Sequence, residues 1–189
     1  MLAPLIRPGG RCLDIGAGMG FLVDWLLHNG WSDVTALDTS EYAVRKLKER
    51  CPAARVILSN AENSLPLEGR FDTITLVHVL EHTKSPADLL RHLDDLLSPD
   101  GVALVVVPNC GPCWQHWIGN PQWGRNDSTH VNFFTLKSLK ELMQTTFEET
   151  RCFTYAVPGL WALSPWLARR LAFGLGNHIV AAGWRKRAT

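Results

Sequence analysis

Residues 13–22 read LDIGAGMGFL, an apolar run, then three glycines in five positions, then a second apolar run. Glycines spaced this closely admit backbone conformations that other residues avoid, and they let main chain approach a ligand. The order strand, glycine turn, helix is the opening unit of a parallel β-α sheet. A dinucleotide fingerprint would read G-x-G-x-x-G. Counting from Gly16, the sixth position is Phe21, so the spacing here is G-x-G-x-G. Asp14 stands at the strand end, where a carboxylate repels a pyrophosphate and suits a ligand with positive charge.

The rest of the chain repeats the alternation. Short apolar segments at Arg11–Ile15, Asp33–Leu37, Arg55–Leu58, Phe71–Val77, Val102–Val107, Glu148–Val157 and Asn177–Trp184 read as strands. Helical spacing predicts helices over Phe21–Asn29, from a Ser40 cap through Arg50, from Thr135 to about Thr145, and over about 162–173. Another starts at Ser85–Pro86, with serine as N-cap, proline at the first position and leucines at 89, 90, 93, 96 and 97 on one side. Ser98–Pro99–Asp100–Gly101 reads as a turn. These elements predict one domain over 1–189. Its fold class is α/β: a Rossmann-like, doubly wound, seven-stranded, mostly parallel sheet with helices on both faces and the last strand antiparallel. Segments 108–134 and 158–175 read as decorations near the substrate side.

In such sheets ligands bind beyond the carboxyl ends of the strands. Five segments place polar residues at that rim. Asp14 and the glycines follow the first strand, Asp38 the second, Asn60–Glu62 the third, His78, Glu81 and His82 the fourth, and Pro108–Asn109 the fifth. Singly, Asp14 reads equally well as a turn former and Asp38 as a favourable acid at a helix start. Their shared position is what asks for a ligand.

Composition narrows the class. The chain is 46% hydrophobic and 20% charged, as ordinary globular domains are, and its net charge of +1 gives no strong nucleic-acid signal. Met1–Gly10 has no apolar core for a signal peptide, and Leu160–Leu175 is broken by Ser164, Pro165 and Arg169–Arg170, so no transmembrane span is expected. Peripheral contact through that last segment stays open, as does an oligomer. Five cysteines, an odd number without a secreted framework, fit a reducing cytoplasm, which is the expected location.

With these residues in place, the chain resembles class I S-adenosylmethionine-dependent methyltransferases. The likeness runs from LDIGAGMG through VTALDTSEYAV, FDTITLVHVLEHTKSP and LLSPDGVALVVVPN to HVNFFTLKSLKEL. The small-molecule branch that includes ubiquinone-biosynthesis O-methyltransferases is the most similar. The resemblance implies S-adenosyl-L-methionine as co-substrate. It implies that Asp14 takes the methionine amino group, that Gly16, Ala17, Gly18 and Gly20 pass close to the cofactor, and that Asp38 with Thr39 meets the ribose. Asn60 and Ala61 then lie on the adenine side, and Val77 and His78 line the donor near its sulfonium.

Methyl transfer to oxygen also needs a proton acceptor. His82 and His130, supported by Glu81, are the candidates. Some relatives carry E-x-x-E-H and bind a divalent ion. Here the segment reads H-x-x-E-H, and imidazole suits zinc, iron or nickel better than magnesium, which leaves the metal unknown. Cys110-Gly-Pro-Cys113 has the thioredoxin tetrapeptide, and with His116 and His130 it offers zinc-type ligands; its context is wrong for the first, and an ordinary insert is the simpler reading. Trp114, Trp117, Trp123, Trp161 and Trp166 suit a flat apolar acceptor or a plain core. The expected activity is methyl transfer to a small-molecule or lipid- or sugar-linked acceptor. A non-catalytic cofactor-binding scaffold and an RNA methyltransferase are the alternatives.

Overall fold

The structure, a computed structural model, describes residues 5–6, 8–63, 67–111, 127–155 and 177–185. Seven strands form one sheet: β1 (Arg11–Ile15), β2 (Asp33–Asp38), β3 (Arg55–Leu58), β4 (Phe71–Val77), β5 (Leu97–Pro108), β6 (Glu149–Tyr155) and β7 (His178–Trp184). Their order is β3-β2-β1-β4-β5-β7-β6, with β7 antiparallel to both neighbours and the other pairs parallel. The chain winds outward from β1 to β3, then returns to lay β4 on the other side of β1. That reversal opens a crevice above the carboxyl ends of β1 and β4.

The apolar alternation explains both layers. Leu13, Ile15, Ile74, Leu76, Ala103, Val105 and Val107 join one core cluster, whereas Cys12, Val102, Leu104 and Val106 join the other. Successive strand residues point to opposite faces, so β5 is covered on both sides and reads as an unbroken apolar run. Helices α1 (Phe21–His28) and α2 (Glu41–Arg50) bury Val23, Leu26, Ala43, Val44 and Leu47. Helices α3 (Pro86–Leu96) and α4 (Leu136–Gln144) bury Leu89, Leu90, Leu93, Leu139 and Met143.

Caps separate what local sequence controls from what it does not. Ser40 Oγ accepts from Ala43 N at 3.3 Å, and Thr135 with Ser138 forms a reciprocal capping box. Ser85 stands at the N-cap position of α3 but makes no side-chain cap; its hydroxyl donates to Asp88 instead. Glu62 takes over part of that work, its Oε1 accepting from Lys84 N at 2.7 Å. The Ser98–Gly101 turn is absorbed into β5. Phe71 pairs with Leu97 and Thr73 with Val102, so the four residues loop out as an irregularity within the strand. The expected helix over 162–173 and the decorating segment 158–175 lie outside the described residues, as do 112–126 of the 108–134 insert. At that insert's two ends, Asn109 forms an isolated parallel bridge with Phe134.

Candidate active site

The glycine turn is fastened to the neighbouring strand. Gly16 N and Ala17 N both donate to Leu37 O, at 2.8 and 3.0 Å. Gly16 has φ +67°, and a Cβ there would lie 2.3 Å from Val79 Cγ2. Any side chain at this position would be strained and would have to push the Val79 side chain aside. Gly18 is also left-handed, at φ +53°, yet a Cβ there meets nothing within 4 Å. Open space above a left-handed glycine fits close passage of a ligand.

Asp38 closes the turn from the end of β2. Its Oδ2 accepts from Gly18 N at 2.8 Å and its Oδ1 from Ser40 N at 2.9 Å. The carboxylate thus positions the glycine turn and the start of α2 together. Asp14 lies beneath the turn and is 2% exposed. Thr75 Oγ1 donates to its Oδ1 at 2.6 Å, a contact set by the parallel register that pairs Asp14 with Thr75. Burial pushes the Asp14 carboxyl up to about 7; the nearby Asp38 charge adds to that rise, and the Thr75 hydrogen bond opposes it. Two carboxylates side by side form a site suited to a cation.

Beside them lies a cleft of about 320 Å³. Gly16, Asp38, Thr39, Asn60, Ala61, His78 and His82 line it, joined by Ile15, Leu37, Glu62, Val79 and Thr83. Asp14, Ala17, Gly18, Gly20, Val77, Glu81 and His130 are not in the lining. Of these, Gly20 serves as N-cap of α1 with φ +83°. Asn60 Oδ1 accepts from Glu62 N at 2.9 Å, so the loop after β3 folds on its own side chain. A larger cavity of about 850 Å³ opens at the opposite rim, near Gly10, Asp72 and Arg151. It lies at the amino ends of the parallel strands, away from the glycine turn.

The segment after β4 brings the histidines together. His78 has φ +58°, the only non-glycine residue above zero among those described. Its Nδ1 is 2.9 Å from Oε1 of the buried Glu81. A short 3-10 turn, Leu80–His82, follows. The H-x-N-F-F stretch is tied to it, because Val131 N and Asn132 N donate to Glu81 O at 2.9 and 3.0 Å and Asn132 Nδ2 donates to Thr83 O at 2.6 Å. His130 is therefore brought edge-on to His82, ring centres 4.7 Å apart. His82 Nδ1 lies 3.0 Å from Thr129 Oγ1, and His130 Nε2 lies 3.7 Å from Asp127 Oδ2.

Glu81, His82 and His130 place one ligand-type atom each within 4.8 Å of one another, a mixed carboxylate and imidazole set that suits zinc better than magnesium. Each of the three already has a hydrogen-bond or ion-pair partner in the protein. Cys110 N donates to Phe134 O at 2.8 Å, whereas Cys113 and His116 lie outside the described residues, and with them the tetrapeptide and zinc-knot readings.

Val79 and Thr83 escaped the sequence reading, which placed Glu62 at the rim without its partners. The stretch Asn60-Ala61-Glu62 gives no sign that Glu62 reaches the start of α3, twenty-odd positions on. Thr75 was hidden too, since its bond to Asp14 depends on inter-strand register.

The comparisons with known proteins agree with this fold. A family model described as "Methyltransferase domain" matches residues 1–146. The chain belongs to this family, and its fold is that of a class I S-adenosylmethionine-dependent methyltransferase. A ubiquinone biosynthesis O-methyltransferase of Xanthomonas campestris pv. campestris is 29% identical over 115 residues, covering 58% of this chain and 48% of that protein. The chain thus spans about half the length of the curated relatives it matches. Among solved structures, a Thermotoga maritima protein described as a possible histamine N-methyltransferase superposes with TM-score 0.74 at 23% identity, covering 95% of this chain and 84% of that one. A plantazolicin methyltransferase in complex with SAH superposes with TM-score 0.69 at 19% identity, over 95% and 77% of the two chains.

Proposed function

We propose that the chain moves a methyl group from S-adenosylmethionine to an oxygen of a small-molecule or lipid-linked acceptor. The observation that carries this reading is the run of groups along one rim: two carboxylates at the glycine turn, then the cleft, then His78 and His82. Asp14 meets the donor's ammonium, Asp38 and Thr39 its ribose, and Asn60 and Ala61 its adenine edge. When bound, the sulfonium supplies an electrophilic methyl. The acceptor oxygen forms the new bond to carbon, and the C–S electron pair leaves with sulfur. The protein's work is alignment, which can contribute about 7–11 kcal/mol, together with removal of the acceptor's proton. His82 lines the cleft and takes that proton, and His130 and Glu81 hold its surroundings. The ubiquinone O-methyltransferase relatives favour oxygen as the target. Among the described residues no helix is long and apolar enough to cross a membrane. A cytoplasmic setting is the simplest one for this chemistry.

The test is release of demethylated cofactor when the full chain is incubated with phenolic, quinol and glycosyl-lipid acceptors. Release that depends on an oxygen acceptor is expected. Cofactor binding without release for any acceptor would leave only a scaffold. His130→Ala should lower turnover by up to about a hundredfold, because it frees the His82 ring that takes the proton, with cofactor affinity unchanged; a normal rate removes it from the mechanism. Treatment with EDTA is expected to leave turnover intact, because Glu81 Oε1, His82 and His130 have protein partners, although Glu81 Oε2 is buried without one among the described residues. Loss of activity that zinc restores would reverse that expectation.

A further inference from the structure

The start of α3 is held by a residue from a different wall of the cleft. Ser85 makes no side-chain cap for its own helix, and Glu62 supplies the acceptor from the loop after β3. Its Oε1 accepts from Lys84 N at 2.7 Å and from Ser85 N at 3.4 Å. A carboxylate at this end of a helix is also favoured by the helix dipole. These bonds join two stretches that both line the cleft, Asn60–Ala61–Glu62 on one side and His82–Thr83 on the other.

The peptide group that Glu62 grips is held from its far side as well. Thr83 O accepts from Asn132 Nδ2 at 2.6 Å, so the planar Thr83–Lys84 unit is clamped between Glu62 and Asn132. Hydrogen bonds at both ends of one peptide polarise and strengthen each other. Asn132 N in turn donates to Glu81 O at 3.0 Å, one residue before His82. On the other side, Glu62 N donates to Asn60 Oδ1 at 2.9 Å, so the glutamate turns with the residues proposed to meet adenine. Glu62 is exposed. Water competes for its bonds, and their strength therefore depends on how firmly the loop after β3 is held. A nucleoside packed on Asn60 and Ala61 would hold that loop.

We propose that Glu62 is a positioning residue that couples the occupied donor site to the segment carrying His82. This rests on the donor placement proposed above. Donor binding stills the loop after β3, Glu62 then grips the Thr83–Lys84 peptide, and the turn that presents His82 loses its remaining freedom. The donor thereby helps to place the group that takes the acceptor's proton, and Glu62 touches neither reacting atom. His78 stands outside this coupling, because strand β5 holds it through His78 N donating to Val106 O at 2.9 Å.

Amide hydrogen exchange of the full chain, followed residue by residue by NMR with and without S-adenosylhomocysteine, reads the coupling. In wild type, saturating ligand is expected to slow exchange at Lys84 and Ser85 about tenfold, the factor that one good hydrogen bond sets. In Glu62→Ala these two amides should exchange alike with and without ligand, while Ala17 and Gly18 in the glycine turn are still slowed. Glu62→Gln keeps a neutral acceptor and should retain part of the effect. Unmoved signals from β5 show that each variant is folded. A residue that only caps α3 would speed exchange by one factor in both states and leave their ratio at the wild-type value. That result in Glu62→Ala, or a wild-type ratio of one at Lys84, overturns the proposal. The glycine turn separates it from the reading beneath: ligand that slows Ala17 and Gly18 but not Lys84 sinks the coupling alone, and ligand that slows none of them sinks the donor placement.

Discussion

Asp38→Ala is expected to weaken S-adenosylmethionine binding about a hundredfold, read by titration calorimetry. The size follows from two losses at once. A carboxylate hydrogen bond to a ligand hydroxyl contributes roughly 1.5–3 kcal/mol, and the ribose offers two hydroxyls. The same carboxylate also accepts from Gly18 N and Ser40 N, so its removal releases the turn that must receive the ligand. Asp38→Asn keeps one acceptor oxygen and should fall between the two. Equal affinity for wild type and Asp38→Ala would dismiss the ribose role, whatever the fate of the turn.

The second large effect is a pH dependence centred on Asp14. Its folded-state carboxyl is pushed up to about 7 by burial, from an ordinary value of 3.8. Between those values the folded chain holds a proton that the unfolded chain has released, so stability falls as pH rises through that window. The contribution is complete below the unfolded value and gone above the folded one. It amounts to roughly 4 kcal/mol at most. Ligand affinity runs the other way. On the proposed reading the donor's ammonium meets ionised Asp14, so affinity should climb by nearly tenfold per pH unit up to about pH 7 and then level off. Asp14→Asn should flatten that profile and weaken binding at pH 8, while melting higher than wild type at pH 8 without ligand, by roughly 8 °C. A ligand-affinity profile that is flat in wild type would remove Asp14 from the donor site.

How much of this could be read in the chain depends on the range of each interaction. The glycine turn, Asp38 and the Ser40 and Thr135 caps are local, decided within a few residues, and they were legible. The seven strands were legible because their apolar alternation is strong, with β5 betrayed by its β-branched run. The bond from Thr75 to Asp14, the backbone bonds that tie Val131 and Asn132 to Glu81, and the stack of Tyr155 on His178 all join distant stretches through register. No spacing in the sequence announces them. Ser85 shows the opposite failure. Its N-cap signature is correct in position, yet a charged neighbour at Asp88 won the hydroxyl.

His78 has a consequence for how the site meets its ligand. An L-residue held in the left-handed region stores about 1–2 kcal/mol of strain, and here it is restrained by His78 N donating to Val106 O at 2.9 Å and by the ring's bond to Glu81. The imidazole is therefore preset before any substrate arrives, and no reorganisation of this corner is required at the moment of reaction. Such a molecule gives up global robustness for a rigid corner, so its least comfortable backbone borders its cleft.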